Sequence, residues 1–529
     1  MTRTLLLLAT LCGCGGGVGL ESEDAGLPAD PADGGLADAG LAPEIAPILA
    51  AAEADLASNV ASCVSVAVWR GERVEHLFAL GTAASLGGRA PDADTLFMIG
   101  SDTKKLTAAH LLQQAARGLA LDVPLRELAP ELRLAASESG IEATPHELLS
   151  MQSGLVDWLG PRTTGTSDGE LWRVAIEEAS ELLYAMSPPG LFWNYSNPNY
   201  SFAGWLAERE SLEPWADGIE ADLFAPLGMT RTVARKASVD ANHASGIGSS
   251  FFGGPAPRPV PLPLTFEDAF TRPAGLVWST PSDQVRFAAF LVDGDPAVLP
   301  DDLREAITTP HVALTPDGER SGYGYGVFVE RGLVLGGVDH PGVTLWAHGG
   351  NTPSHTSLWY VLPEQRFAIS VLSNGVGDDF RATAAAAIEA LVVLPEPSGP
   401  FELPFDPSVR AELAGSYLDG TNLGLVEVTE DEEGLSWEVP AFAEAEVPYE
   451  ARLTPVSTRQ WIAEIRGNPV VLRFYPSGEE EGAYLVARRF VAERLGAVAA
   501  PRLVGLSAPT FAGAAGGPRS LDPRFRRLP

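Results

Sequence analysis

The feature that most constrains this chain is a separation: strand-like runs lie at both ends of a long stretch whose apolar residues keep helical spacing. At the first end, Val64-Ser65-Val66-Ala67-Val68-Trp69, the turn residues Arg70-Gly71-Glu72-Arg73 and the run Val74 to Leu80 read as a β-hairpin. Strand signals return at Val343-Thr344-Leu345-Trp346, at Ser357 to Leu362 and, after a Pro363-Glu364 turn, at Phe367 to Leu372, and a helix is expected over Arg381 to Leu391. The middle region alternates helices with Pro- and Gly-rich connections such as Phe252 to Pro257, and no internal repeat is visible. Strands flanking a helical insertion imply one antiparallel sheet completed by both ends of the domain, with helices on its faces. The expected fold class is α+β: an antiparallel sheet flanked by helices, carrying a mostly helical subdomain.

Pro395-Glu396-Pro397-Ser398-Gly399-Pro400 marks a boundary, giving a domain over 46–395 and a linker over 396–407. Beyond it, short alternating segments such as Gly424 to Val428, Gln460 to Ile465 and Val470 to Tyr475 predict a small all-β barrel over 408–492. Residues 493–529, rich in Pro, Gly and Arg, read as a disordered tail. At the other terminus, Arg3 followed by Leu5 to Leu11 reads as a signal peptide over 1–13, too short for a permanent span. Leu11-Cys12-Gly13-Cys14 has the form of a bacterial lipobox, with Cys14 as the lipidation site and 14–45 as a flexible tether without aromatic residues. Several acyl chains on Cys14 would anchor an exported protein to a membrane on the periplasmic or cell-surface side; a simple secretory signal is the alternative.

Lys and Arg total 36 against 69 Asp and Glu, a formal charge of −33, so nucleic acid would be repelled. Two of the three cysteines fall in the first 14 residues, which leaves Cys63 alone in an apolar run as a small buried thiol. The eight histidines show no His-Glu-x-x-His or comparable ligand spacing, so neither a metal nor another cofactor is expected.

The chemistry is carried by Ser101-Asp102-Thr103-Lys104. A serine hydroxyl is a poor nucleophile until a base takes its proton, and residues three apart on a helix share a face, so Lys104 can reach Ser101. Apolar positions at Leu106, Ala109, Leu111, Leu112 and Ala115 put Ser101 at a helix start, with Gly118 as the C-cap. There the macrodipole disfavours a lysine cation and favours an oxyanion. The chain has three lysines, Lys104, Lys105 and Lys236, so chance supplies on the order of 0.2 Ser-x-x-Lys matches. The plainer alternative is an N-capping serine with a surface lysine behind it. Lys105 is expected to point to solvent.

Tyr195-Ser196-Asn197 is the second element: a tyrosine beside a lysine can shuttle a proton, and Asn197 can bond Lys104 or a substrate amide. An aromatic packing loop is the alternative. The third is His348-Gly349-Gly350, whose glycines would admit close backbone approach, with the N–H groups of Asn351 and Ser101 aimed at a developing oxyanion. His340-Pro341-Gly342 is a competing match, and a core histidine the alternative reading.

With these elements in this order, the chain resembles the β-lactamase-related serine hydrolases, a group that includes class C β-lactamases, penicillin-binding proteins, D-alanyl-D-alanine carboxypeptidases, D-aminopeptidases and esterases. Phe97 to Lys104, the Pro188-Pro189-Gly190 lead into Tyr195-Ser196-Asn197, Pro226-Leu227-Gly228-Met229, Gly275 to Thr280 and Ala347-His348-Gly349-Gly350 carry the resemblance over roughly 46–395. It implies a β-lactamase/transpeptidase-like fold and acyl transfer through an ester on Ser101, with Lys104 and Tyr195 as bases. The C-terminal module resembles the lipocalin-like barrels appended to some of these hydrolases. Class C β-lactamases usually have Lys-Thr-Gly as the third motif. A histidine in the lysine's place turns the expectation toward small esters or D-amino-acid amides and peptides, with β-lactams or peptidoglycan peptides as the alternative substrates. Thr144 to Gly154 keeps the Leu-Leu and Ser-Gly of a family helix without its frequent Thr-His-Thr, and reads as structural packing.

Two rivals are weaker. Gly165-Thr166-Ser167-Asp168-Gly169 has the form of an α/β-hydrolase elbow but follows a polar turn instead of a buried strand. A catalytically silent, membrane-tethered binding protein would have no physical need for Ser101, Lys104 and Tyr195 together. Trp158, Trp193 and Tyr325 are candidates for the wall of an apolar acyl pocket. Oligomeric state is not legible.

Overall fold

The computed structural model describes residues 42–134, 141–157, 183–248, 257–316, 318–476 and 483–496, together with Leu171 and Ala175. Cys14 and the leader around it, most of the proposed tether, Trp158, the 165–169 elbow, the 252–256 connection and the tail beyond 496 lie outside the described residues. The described chain divides into two compact units, with the division between Glu402 and Leu403.

The first unit begins with helix α1 (Ala46–Ser58) and strands β1 (Cys63–Arg70) and β2 (Arg73–Gly81). Every residue of β1 but the last is buried, as its near-continuous apolar run requires of a strand covered on both faces. β2 is an edge strand, and its charged Arg73 and Glu75 suit that place. The sheet resumes far along the chain with β3 (Val312–Thr315), β4 (Gly318–Tyr323), β5 (Phe328–Leu335), β6 (Val338–Asn351), β7 (Thr356–Leu362) and β8 (Phe367–Ser373). Its order is β2-β1-β8-β7-β6-β5-β4-β3, and β1 pairs antiparallel with β8 from Val64 opposite Ser373 to Arg70 opposite Phe367. The two ends of the domain thus complete one sheet. The α+β class is the fold observed.

Between the strand sets lie α2 (Thr103–Ala116), α3 (Pro145–Leu149), α4 (Asn197–Ser211), α5 (Arg272–Gly275) and α6 (Pro281–Asp293). Helix α2 is buried along nearly its whole length, so it forms the centre of the helical layer. It ends at Ala116 with Arg117 as C-cap, one residue before the expected Gly118. Cys63 is a buried free thiol whose pKa burial pushes up, which makes it inert.

Helix α7 (Arg381–Leu391) packs beside α1, and after it Gly399–Pro400 pairs with the start of β6. The Asp55 carboxylate of α1 accepts from the backbone N–H of Thr383 at 2.9 Å and from its hydroxyl at 2.6 Å. A residue of the first helix therefore caps the N-terminus of the last, satisfying a donor that α7 leaves open.

The second unit carries β9 (Gly415–Asp419), β10 (Gly424–Asp431), β11 (Gly434–Glu438), β12 (Thr454–Pro455), β13 (Gln460–Ile465), β14 (Asn468–Tyr475), β15 (Tyr484–Ala487) and β16 (Phe490–Arg494). They form a nearly closed eight-stranded antiparallel barrel in the order β11-β10-β9-β16-β15-β14-β13-β12. Trp437, Trp461, Phe442, Phe474 and Tyr417 fill its core.

Replacing Asp55 by Ala leaves the Thr383 N–H and hydroxyl without their acceptor. Such a lost cap costs about 1–2 kcal/mol. Thermal denaturation of D55A is expected to show a lower Tm for the first unit, with the barrel transition unmoved.

Candidate active site

Ser101 lies in a 3₁₀ turn, Gly100–Asp102, that leads directly into α2. The turn is set on the sheet by contacts that tolerate no side chain. A Cβ added to Gly350 of β6 would overlap the Ile99 carbonyl oxygen and come within 2.6 Å of the Ser101 nitrogen. Gly100 has φ +55°, and a Cβ there would meet the Asn351 nitrogen at 2.8 Å. Both glycines are therefore required by close approach. They bring the Gly100–Ser101 backbone hard against the Gly350–Asn351 backbone.

The Ser101 hydroxyl accepts from the Lys104 ammonium at 2.9 Å and from the Tyr195 hydroxyl at 2.8 Å. Lys104 is fully buried and also donates to Asn197 Oδ1 at 2.8 Å and to the Ala274 carbonyl at 2.6 Å, at the end of α5. Its nitrogen sits 4.9 Å from the Tyr195 ring centroid. Helix α4 starts at Asn197 with Pro198 in its first turn, where a missing N–H costs nothing. That start places Tyr195 and Asn197 on either side of the helix cap, both turned to Lys104.

Asn197 is itself held. Its backbone N–H and its side-chain amide both donate to Asp157 Oδ1 at 2.9 Å, which fixes the amide with its oxygen toward Lys104. Asp157 has no periodic or motif signal in the sequence, and the Ala274 carbonyl could not have one. The Tyr195 segment is held from below by Met151, whose backbone oxygen accepts from Asn194 N–H at 2.9 Å and whose sulfur accepts from Ser196 N–H at 3.3 Å. Met151 adopts φ +61° at the end of the segment begun by α3, a conformation that costs a non-glycine residue on the order of 1 kcal/mol. α3 opens on a capping box between Thr144 and Glu147.

His348 stands inside β6, two residues before Gly350, opposite Trp359 of β7. Its side chain is 2% exposed and packs on Phe328, with ring centroids 5.2 Å apart. Nδ1 lies 2.7 Å from the Gly349 oxygen and 2.9 Å from the Gly349 nitrogen, while Nε2 has no hydrogen-bond partner among the described residues. Burial pushes its pKa down to about 3; Asp102 opposes the shift and Lys104 and Lys105 add to it. The imidazole is neutral at ordinary pH. The competing His340 is buried elsewhere on the same strand and bonds the Pro395 carbonyl.

Trp193 joins an aromatic cluster with Tyr195, Tyr323 and Phe328 at centroid distances of 5.9 to 6.3 Å. Tyr325 does not join it: the ring stacks on His311 at 4.1 Å and its hydroxyl bonds His146 at 2.7 Å.

The expectation that Lys105 points to solvent is overturned. Lys105 is fully buried, and its nitrogen reaches Asp102 Oδ1 at 2.8 Å, the Asp102 carbonyl at 3.2 Å and the Trp359 ring centroid at 4.5 Å. Asp102 is also fully buried and accepts from the Ser357 hydroxyl at 2.6 Å. Opposite charges three apart on a helix are a legible pair. Their burial was not legible, because Trp359 and Ser357 come from more than 250 residues away. Among the described residues, no three His, Cys, Asp or Glu side chains converge as a metal ion would need.

A family model described as Beta-lactamase matches residues 49–393. Penicillin-binding protein 4 of Amycolatopsis lactamdurans is 28% identical over 310 residues, covering 57% of this chain and 77% of that protein. Esterase EstB of Burkholderia gladioli is 27% identical over 352 residues, covering 60% of this chain and 86% of its own. The crystal structure of SurE shares the fold with a TM-score of 0.62 at 23% identity, covering 85% of this chain and 99% of that one. Matched over more than half its length, the chain belongs to the Beta-lactamase family.

Proposed function

We propose that the protein is a serine hydrolase that works through a covalent acyl-enzyme on Ser101, cleaving small esters or D-amino-acid amides. The observation that carries this reading is the pair of donors on one hydroxyl: Lys104 and Tyr195 both reach the Ser101 oxygen within 2.9 Å. With one of these two neighbours deprotonated, Lys104 as the amine or Tyr195 as the phenolate, the hydroxyl can pass its proton to that base as its oxygen bonds the substrate carbonyl carbon. The carbonyl oxygen then takes up negative charge, for which the N–H groups of Ser101 and Asn351 are the proposed donors. When the tetrahedral species collapses, the C–O or C–N bond to the leaving group breaks. Tyr195 returns the proton to the departing alkoxide or amine. Water repeats the sequence on the ester and frees Ser101.

The esterase and the penicillin-binding protein among the relatives support hydrolysis at an acyl centre. The neutral His348 supports esters and amides over β-lactams, because an uncharged imidazole is a weaker partner for the β-lactam carboxylate than a lysine would be. Once acylated, Cys14 would hold this activity at a membrane.

Intact-mass measurement after treatment with a fluorophosphonate is expected to show one adduct on the wild type and none on S101A. Ester turnover should fall by about 10³-fold or more in that variant. A panel of p-nitrophenyl esters, D-amino-acid amides and nitrocefin sets the substrate class; efficient nitrocefin turnover with negligible ester or amide cleavage overturns the preference. D157A frees the Asn197 amide to rotate and removes about 1–1.5 kcal/mol of support from Lys104. Its kcat is expected to drop roughly tenfold with KM little changed, read from steady-state kinetics on the best ester.

A further inference from the structure

The proposed reaction uses Ser101, Lys104 and Tyr195, and leaves a second buried lysine unexplained one residue further on. Lys105 and Asp102 are both 0% exposed, and a buried ion pair is seldom retained for stability alone. The placement of this one is specific. Asp102 Oδ1 lies 4.0 Å from His348 Nδ1, and the same oxygen takes the Lys105 ammonium at 2.8 Å. The other oxygen is occupied by Ser357, whose residue faces Gly350 across the β6–β7 ladder. Three directions around the ammonium are used: the Asp102 carboxylate, the Asp102 carbonyl and the face of Trp359. That arrangement suits a cation and holds it still.

Burial acts most strongly against protonation of the His348 ring; the charged groups acting on it are Asp102, Lys104 and Lys105, and of these only Asp102 favours its protonation. A carboxylate facing an imidazole ordinarily makes a charged dyad. Here the carboxylate is spent on Lys105. His348 lies on the same face of β6 as Gly350, about 7 Å along the strand from the contact with Ser101. Its Nε2 is buried without a partner among the described residues, as expected of an atom whose partner arrives with the substrate.

We propose that Lys105 is a positioning residue that acts through Asp102: by occupying that carboxylate it keeps the His348 side of the site uncharged and so directs the enzyme to substrates lacking a carboxylate there. This rests on the serine-hydrolase reading and adds to it a specificity rule with its own cause. No contact between Lys105 and substrate is involved.

The test uses the full chain and its K105Q variant, in which the amide still donates to Asp102 but the charge is gone. In protein labelled at histidine Cε1, with the His348 resonance assigned by its loss in H348N, the imidazole is expected to titrate about one pH unit or more higher in K105Q than in wild type. The double variant D102N/K105M removes both charges and should return the ring to the wild-type range, which a purely structural role would not do. At pH 4.5, kcat/KM is compared for p-nitrophenyl hexanoate against mono-p-nitrophenyl adipate, and for phenyl acetate against 3-carboxyphenyl acetate. K105Q is expected to raise the relative rate on the carboxylate-bearing member of at least one pair by about threefold, and the double variant to abolish that gain. An unshifted imidazole, or a shifted one with both ratios unchanged, overturns the proposal. The titration needs no turnover, so its failure is distinct from failure of the serine-hydrolase reading, which would appear as a wild-type Ser101 that takes no fluorophosphonate; that outcome would remove the specificity rule as well. If K105Q does not fold, the double variant carries the test, and an upward shift there refutes the idea.

Discussion

The site depends on the closeness of two pieces of backbone. The 3₁₀ turn bearing Ser101 presses against the end of β6 so tightly that neither Gly100 nor Gly350 has room for a methyl group. Everything else is arranged around that contact. β6 is held in the sheet by β5 and β7 and cannot shift without breaking both ladders, while α2, fully buried in its first three turns, fixes the turn from the other side. Side chains can then be aimed with little slack. Lys104 reaches Ser101, Asn197 and Ala274 at once because the helix start, the α4 cap and the α5 end all converge there.

Charge is handled with equal economy. The chain has only three lysines, and two of them are buried side by side at the head of α2. They face different surroundings. Lys104 is given neutral acceptors, a hydroxyl, an amide oxygen and a carbonyl, whereas Lys105 is given a carboxylate. Burial pushes the Lys105 pKa down and Asp102 pulls it back. Neighbouring positions on one helix thus reach different partners, Lys104 the nucleophile and Lys105 the carboxylate of Asp102 beside Trp359 of the sheet.

What the sequence revealed and what it hid follow from the range of the interactions. Local patterns were legible: the largely apolar β1, the matched runs of β7 and β8, and α7 with its bounds of Arg381 and Leu391. So was the pairing of Ser101 with Lys104, because three residues on a helix is a short-range rule. Long-range partners were not legible. The Ala274 carbonyl contributes no side chain to notice, Asp157 reaches Asn197 across 40 residues, and the pocket that encloses Lys105 is assembled from Ser357 and Trp359 on β7. A lysine next to a motif lysine looked like a surface charge, since charge at a helix start is usually solvated. Tyr325 looked like pocket lining by its composition alone, and its actual partners, His146 and His311, lie on separate segments.

The clasp between Asp55 and Thr383 has a consequence for architecture. Since α1 and α7 are tied together, and β1 lies beside β8, the first and last helices of the unit are neighbours although 328 residues separate Asp55 from Thr383. Beyond α7 the chain runs on to the start of β6, where Gly399 and Pro400 pair with Asp339 and Val338. The clasp closes the unit on itself: a cut in an exposed loop elsewhere would leave both helices held to each other and the sheet still threaded.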